Sequence, residues 1–290
     1  MQSGRQRYRC GACRYRFQYK RRTKNVSARL WDEYTNRKQT LSELADTYDK
    51  SHVWVRAQLD AHEVNGPTDL VPQSVVVVPD TTFWGRHYGV TVFRASNLKR
   101  NIWWNEVQSE RQAHYHYGRK ILEERGWTIQ AAVVDGRRGL ATVFKDVPVQ
   151  ICHFHQEQTV TKYLTRRPKT EAGTELRRLT LTLPRTTEEV FTVELSAWEK
   201  KWHNFYTEKT YVTGTRKWYY THKNVRSGYM SLKRNLPYLF TYQKHPKLNI
   251  PNTTNTIDGY FASVKKKVAA HHGLRRDRRY KVICELLRMG

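Results

Sequence analysis

The sequence predicts a mixed α/β sheet domain carrying an α-helical insertion, preceded by a small helical module. Three observations point to this. Ser74-Val-Val-Val-Val-Pro-Asp80 and Thr128-Ile-Gln-Ala-Ala-Val-Val-Asp135 are each an apolar, largely β-branched run ended by an acid, the pattern of a buried strand. Residues 110–125 read as a helix between them, so the second run should return parallel to the first through a crossover. Residues 251–268 read as a capped helix, with Ile257, Phe261, Val264 and Val268 at steps of four, three and four on one face.

Composition sets the partner class. The 290 residues hold 52 Lys+Arg against 26 Asp+Glu, a formal net charge of +26 spread along the whole length. With 18 Tyr and 9 Trp interleaved among the cations, a nucleic-acid partner fits better than a merely soluble basic surface. No apolar run reaches the length of a membrane span, and the basic N-terminus has no apolar core of a secretory signal. Cys10, Cys13, Cys152 and Cys284 are unevenly spaced, which suits a reducing compartment, the cytoplasm, with nucleoid association if the host is bacterial.

From the N-terminus, residues 1–24 place Cys10-x-x-Cys13 among basic and aromatic residues. Two thiolates in such a turn suit one tetrahedral Zn²⁺, which needs four ligands. The pair is either the second knuckle of a zinc ribbon whose first half lies outside this chain, or a remnant on a basic arm. Residues 25–66 read as three helices. Ser27 is expected to cap the first, with Leu30, Trp31 and Tyr34 inward. Thr40 caps the second, with Glu43 completing a capping box. Ser51 caps the third, with Val55 and Leu59 inward and His52, Arg56 and Gln58 outward. The spacing suits a helix-turn-helix whose last helix enters the major groove; a generic three-helix bundle is the alternative. Asn65-Gly-Pro-Thr68 is a breaker cluster and a candidate boundary.

In residues 72–158, Pro79 is expected to end the first strand where Asp80 projects. Residues 87–94 and 101–106 follow as strands of an antiparallel meander. The helix at 110–125 should face inward with Ala113, Tyr117, Ile121 and Leu122, and Gly126 should stop it. Residues 147–155 read as a fifth strand. Three antiparallel strands, a helix and two more strands is the order of a ribonuclease-H-like sheet. In it the first and fourth strands are neighbours, so Asp80 and Asp135 would lie side by side. Two carboxylates so close repel unless a cation lies between them, and all-oxygen ligands suit Mg²⁺ or Mn²⁺.

Residues 159–250 read as the insertion. A helix at 188–208 should bury Val190, Val193, Ala197, Trp198, Trp202 and Phe205, and one at 219–236 should bury Val225, Tyr229, Leu232 and Leu236. Arg226, Lys233 and Arg234 fall on a basic face suited to DNA-backbone contact. Residues 244–251 return the chain as a loop. In residues 251–290, the helix bearing Asp258 turns Lys265, Lys266 and Lys267 outward, with Lys265 and Lys266 assigned to DNA. A basic helix at 275–288 buries Val282, Ile283, Leu286 and Leu287, with Cys284 as packing.

The order of Val77-Val-Pro-Asp80, Val133-Val-Asp-Gly136, Cys152-x-x-His155, Leu236-Pro-Tyr-Leu-Phe240, Thr253-Thr-Asn-Thr-Ile-Asp-Gly259 and His271-His-Gly-Leu274 resembles a DDE/DDD transposase of bacterial insertion sequences, of the Mutator-like kind. The resemblance spans nearly the whole chain. It implies an RNase H-like catalytic domain with its three acids at Asp80, Asp135 and Asp258, and a helical insertion between the second and third. It implies two Mg²⁺ ions, cleavage and strand transfer of element ends, and a homodimer or larger assembly holding two ends. Cys152 and His155 are implied to be structural or substrate-positioning. The third acid of such enzymes is commonly Glu; Asp258 is one methylene shorter, so its helix must sit closer. The rival readings are a catalytically inactive, transposase-derived DNA-binding protein and a nuclease that only hydrolyses.

Overall fold

The computed structural model describes residues 8–17, 26–64, 66, 70–137, 139–271 and 273–290. The chain forms two compact units, Met1–Val64 with Ala270–Leu274, and Asn65–Ala269 with Arg275–Gly290. Of the breaker cluster at 65–68, only Gly66 is described; the arms of the N-terminal segment at 1–7 and 18–25 also lie outside the described residues.

In the first unit, β1 (Tyr8–Arg9) and β2 (Arg16–Phe17) pair antiparallel across the Cys10–Cys13 turn. Three helices follow, α1 (Val26–Thr35), α2 (Leu41–Tyr48) and α3 (His52–Ala61). Leu30, Trp31, Tyr34, Leu44, Ala45, Val55 and Leu59 form their core. The start of α2 is a full capping box: the Glu43 N–H donates to Thr40 Oγ1 at 3.2 Å and the Thr40 N–H donates to Glu43 at 2.7 Å. Asp49, left-handed at φ 48°, ends α2. Ser51 then accepts the Trp54 N–H at 3.2 Å and opens α3. Ser27 is not a cap. It lies within α1, and its hydroxyl donates to the Gln58 carbonyl at 3.2 Å, tying α1 to α3.

The second unit holds β3 (Ser74–Phe83), β4 (Gly89–Ala95), β5 (Arg100–Val107), α4 (Gln112–Glu124), β6 (Thr128–Val134), α5 (Leu140–Val143), β7 (Val149–Ile151), α6 (His153–Leu164), α7 (Glu171–Thr180), α8 (Glu188–Thr207), β8 (Lys209–Tyr211), β9 (Trp218–Tyr220), α9 (Lys223–Leu239), α10 (Thr241–Lys244), α11 (Asn255–Ala269) and α12 (Arg276–Arg288). Its five-stranded sheet runs β5-β4-β3-β6-β7. β3, β4 and β5 are antiparallel; β3, β6 and β7 are parallel. Continuous burial of Val75 to Val78 and of Ala131 to Val134 explains why these central strands show no polar alternation. No helix among the described residues is long and apolar enough to cross a membrane.

Five local expectations need correction. First, Pro79 does not end β3, which runs on to Phe83. The Val76 N–H and carbonyl bond on the β4 side, to Asn97 and Ser96, so by alternation the Pro79 nitrogen faces β6, whose pairing stops at Val77. The missing donor is lost where no partner waits. Second, α4 buries Tyr115, Gly118 and Leu122, while Ala113 and Tyr117 are exposed. A Cβ on Gly118 would meet the Phe93 and Trp103 rings at 2.6 Å. The helix therefore lies on the sheet through its glycine; of the stripe seen in the sequence Leu122 is buried and Ile121 packs against the core, while Ala113 and Tyr117 are turned out.

Third, the fifth strand stops at Ile151, and His155 stands on α6, the helix that follows. Fourth, α8 buries Phe191, Leu195, Trp198 and Tyr206 and leaves Val190, Val193 and Ala197 exposed. Trp198 is buried as expected and Trp202 and Phe205 are partly buried against the core, while Phe191, Leu195 and Tyr206 take the other inward positions; Trp198 also donates to the Ala172 carbonyl at 3.0 Å. Fifth, residues 209–220 form the β8–β9 hairpin, and α9 starts at Lys223 and passes through Pro237 to Leu239. Its end is pinned to the sheet edge. Gln150 Nε2 donates to the Leu239 carbonyl at 2.8 Å, His153 Nε2 lies 2.6 Å from the same oxygen, and Thr241 donates to the Val149 carbonyl at 2.6 Å.

At the far edge α12 packs on β5. Asn101 Nδ2 donates to the Leu287 carbonyl at 2.9 Å, and Trp104 Nε1 donates to Cys284 Sγ at 3.3 Å.

Candidate active site

Strand register aligns the first two acids. Val77 pairs with Ala132, and each acid lies three positions further on, 77 to 80 and 132 to 135, so the parallel register brings Asp80, within β3, and Asp135, just past the end of β6, toward one level. β6 ends at Val134, and Gly136 at φ 79° turns the chain away. Asp135 Oδ1 accepts the Arg137 N–H at 2.8 Å, closing an Asx turn. Asp80 Oδ1 accepts the Thr81 N–H at 2.8 Å.

A polar chain connects the two. Thr81 Oγ1 lies 2.9 Å from the Tyr115 hydroxyl, Tyr115 donates to Glu110 at 2.7 Å, and Glu110 pairs with Arg137. Thr81, Tyr115, Glu110 and Arg137 were not singled out from the sequence. Thr81 and Arg137 adjoin the acids along the chain, whereas Glu110 and Tyr115 lie far from both and carried no such signal.

The third acid arrives from a different direction. Ile257, Phe261, Val264 and Val268 are buried, as their spacing requires, and set Asp258 in the first turn of α11, where the helix dipole favours a negative charge. Thr254 precedes the helix and is buried. Its carbonyl accepts the Ile257 N–H at 2.9 Å, and its hydroxyl donates to Asp258 Oδ2 at 2.8 Å.

Cys152 and His155 grip this residue. Cys152 continues from the end of β7, its N–H donating to the Val134 carbonyl at 2.8 Å. Its Sγ accepts the Thr254 N–H at 3.2 Å and lies 3.2 Å from Thr254 Oγ1. His155 Nδ1 lies 3.2 Å from the same Oγ1. The hydroxyl has one proton to give, so it serves Asp258 or Cys152 and accepts from His155. One more bond, His153 N–H to the Asn252 carbonyl at 2.9 Å, fixes the approach of the chain.

Electrostatics shows that these groups feel one another. Burial pushes Asp80 up to about 7, the Thr81 N–H opposes, and the charges of Asp258 and Asp135 add to the rise. His155 is raised to about 9, chiefly by its hydrogen bond with the Cys152 thiol and further by the charges of Cys152, Asp258 and Asp135. Burial pushes the Cys152 thiol up, but hydrogen bonds from His155 and Thr254 outweigh it and leave it below its ordinary value. A cleft of about 340 Å³ is lined by one of the acids, Asp135, with Arg137, His155, Gln158, Thr159 and Lys162. The donor set of three carboxylates suits a hard cation in kind. As the side chains stand, no three His, Cys, Asp or Glu among the described residues are gathered closely enough to share one ion, so binding requires the carboxylates to swing together.

The remaining residues singled out from the sequence are dispersed. His52 and Arg56 are exposed on α3, and Gln58 is half-buried. Lys265 and Lys266 are exposed on α11. Arg226 and Lys233 have internal partners: Arg226 lies over the Tyr220 ring at 4.0 Å, and Lys233 pairs with Glu199 at 2.9 Å. Arg234 is exposed, with a bond to Asn235 at 3.4 Å. Cys10 is half-buried and Cys13 exposed, and no third ligand joins them among the described residues.

No family model matches the sequence, and no curated protein matches it. Among solved structures, the chain is similar to the Drosophila P element transposase in its strand transfer complex. The two share 9% identity over 91% of each chain, with a TM-score of 0.44. A likeness of that degree carries no argument.

Proposed function

We propose that this chain is a DNA transposase of DDE/DDD type that cleaves element ends and transfers them to target DNA. The observation that carries the reading is the shared electrostatic environment of Asp80, Asp135 and Asp258, drawn from within β3, the end of β6 and a distant helix. Structural ion networks also perturb carboxylates, and His155, raised to about 9, is one cation beside these acids; the first acid nonetheless sits buried with two like charges as neighbours and stays raised. The sheet order and the crossover helix suit an RNase H-like domain, and the motif order keeps the Mutator-like resemblance as the family reading.

In this reading Asp80, Asp135 and Asp258 would hold two Mg²⁺ or Mn²⁺ ions, which when bound supply an activated water or 3′-hydroxyl and stabilisation of the leaving oxygen. The chain's own residues set the geometry. The Thr81 and Arg137 amides orient Asp80 and Asp135, and Thr254 orients Asp258. Lys162 and Arg137, at the cleft, suit the phosphates flanking the reacting one. His52, Arg56 and Gln58 would read a major groove if α2 and α3 act as a helix-turn-helix. Lys265, Lys266 and Arg234, with Arg226 and Lys233 if they leave their internal partners, would follow the backbone. Cys10 and Cys13 would supply half of a zinc site. Two ends held at once call for a homodimer or larger assembly on DNA.

Strand transfer of a pre-cut DNA end in Mn²⁺ tests the reading. Joined product from the native chain and none from Asp80→Ala is the expected result. Joined product from both would detach the activity from Asp80 and overturn the reading; DNA binding with no product under any divalent ion would replace it with that of a catalytically inactive DNA-binding protein.

A further inference from the structure

The β8–β9 hairpin, within the helical insertion, has more aromatic surface than its folding uses. Its register pairs Lys209 with Tyr220, Thr210 with Tyr219 and Tyr211 with Trp218. Directly opposed residues share a face, and alternate positions return to it, so Lys209, Tyr220, Tyr211 and Trp218 line one side. A two-stranded ribbon is marginal alone and needs an anchor. That anchor is at its foot: Phe205 stacks on His222 at 3.6 Å between centroids, and Arg226 covers Tyr220 at 4.0 Å. Beyond the foot the rings are open to solvent, with Tyr211 68%, Tyr219 53% and Trp218 44% exposed.

The charge on the hairpin itself has one sign, and the acid just before it, Glu208, is paired with His222 at 3.0 Å. Residues 209–223 contain four Lys or Arg and no Asp or Glu. Lys209 Nζ sits 4.1 Å from the Trp218 ring centre. A cavity of about 340 Å³ at the foot, bordered by Thr221, His222 and Lys223, adds Arg167 and Lys169. An apolar protein partner would not call for this cation density. A duplex, whose bases are stacked inside, would leave the rings unused. Exposed rings flanked by cations match unstacked bases joined by phosphates.

We propose that the hairpin is a binding site for single-stranded nucleic acid, with bases stacking on Trp218 and Tyr211 and phosphates neutralised by Lys209 and the cations at the foot. The site stands apart from the three acids and does not rest on their chemistry.

The test uses the full chain without divalent ions. A labelled thymidylate oligonucleotide of roughly 16 nucleotides and a duplex of the same length are titrated by fluorescence anisotropy at one fixed salt concentration. Trp218→Ala, and separately Tyr211→Ala, should weaken single-strand binding by about tenfold and duplex binding by less than about twofold, the size of one lost base–ring stack. Trp218→Phe, which keeps a ring, should restore single-strand affinity to within about threefold. Unchanged single-strand affinity in both alanine variants would overturn the proposal. So would an equal loss on both ligands, which would assign the hairpin to duplex backbone, or a loss that phenylalanine does not restore.

Discussion

Asp80 and Asp135 reach the candidate site differently from Asp258. The first two are delivered by the register of β3 against β6, where one ladder sets both positions. The third is delivered by a helix whose entry is gripped by Cys152 and His155, about a hundred residues earlier in the chain. Register is collective. Slipping it by one residue would turn every buried valine of β3 to the other face, so no single side chain holds it. The grip on Thr254 consists of a few hydrogen bonds, and each can be removed by one substitution. The site therefore has a rigid half and an adjustable half. Asp258, held through a few bonds at the entry of its helix, is the acid whose placement has the least slack.

The largest expected effect treats the halves alike. Asp80→Ala and Asp258→Ala should each lower strand transfer by about a thousandfold or more, since each removes a carboxylate from the reacting centre. The second expectation separates the halves. Thr254→Val keeps the volume but deletes the hydroxyl that orients Asp258. It should lower the rate by roughly 10–100-fold and raise the Mn²⁺ concentration needed for half-maximal rate, as loss of an outer-shell partner does. Thr254→Ser should recover most of both. A fall in Thr254→Val with no change in Mn²⁺ requirement would count against a positioning role.

The third is a pH dependence of stability belonging to the rigid half. Burial, with the charges of Asp258 and Asp135, raises folded Asp80 from an ordinary 3.8 to about 7. Its ionisation therefore opposes folding: stability is greatest below the ordinary value and is lost as pH rises toward 7. Asp80→Asn should raise stability in chelator by roughly 1–3 kcal/mol at neutral pH, allowing for solvent screening, and by little near pH 4. Denaturant melts across that range measure it. The smallest effect concerns the polar chain beside the strands. If register holds the first two acids, Tyr115→Phe should cost about 1 kcal/mol of stability for its lost hydrogen bonds. Strand transfer should fall by no more than about threefold.

The same division explains what could be read in the sequence. Val75 to Val78 before Asp80, Ala131 to Val134 before Asp135, and the four buried apolar residues of α11 are short-range patterns, and short-range patterns survive in a single chain. The grip on Thr254 is a meeting of residues far apart, so Cys152 and His155 could be noticed but not given their contact. Where local pattern and packing compete, pattern misleads. On α8 the buried Phe191–Leu195–Trp198 stripe is as regular as the exposed Val190–Val193–Ala197 one, so spacing alone could not choose between them. On α4 the contact residue is Gly118, which has no apolar side chain to show. Residues 209–220 were read in part as helix because β-propensity in a short, exposed ribbon depends on its neighbours.

The most direct measurement of the central claim is Mn²⁺ binding by the full chain, followed by electron paramagnetic resonance of the free ion. Convergence of the three acids requires that Asp80→Ala and Asp258→Ala each weaken binding, and that Thr254→Val weaken it less. If Asp258→Ala binds Mn²⁺ as the native chain does, the helix-borne acid is no part of an ion site and the account is contradicted.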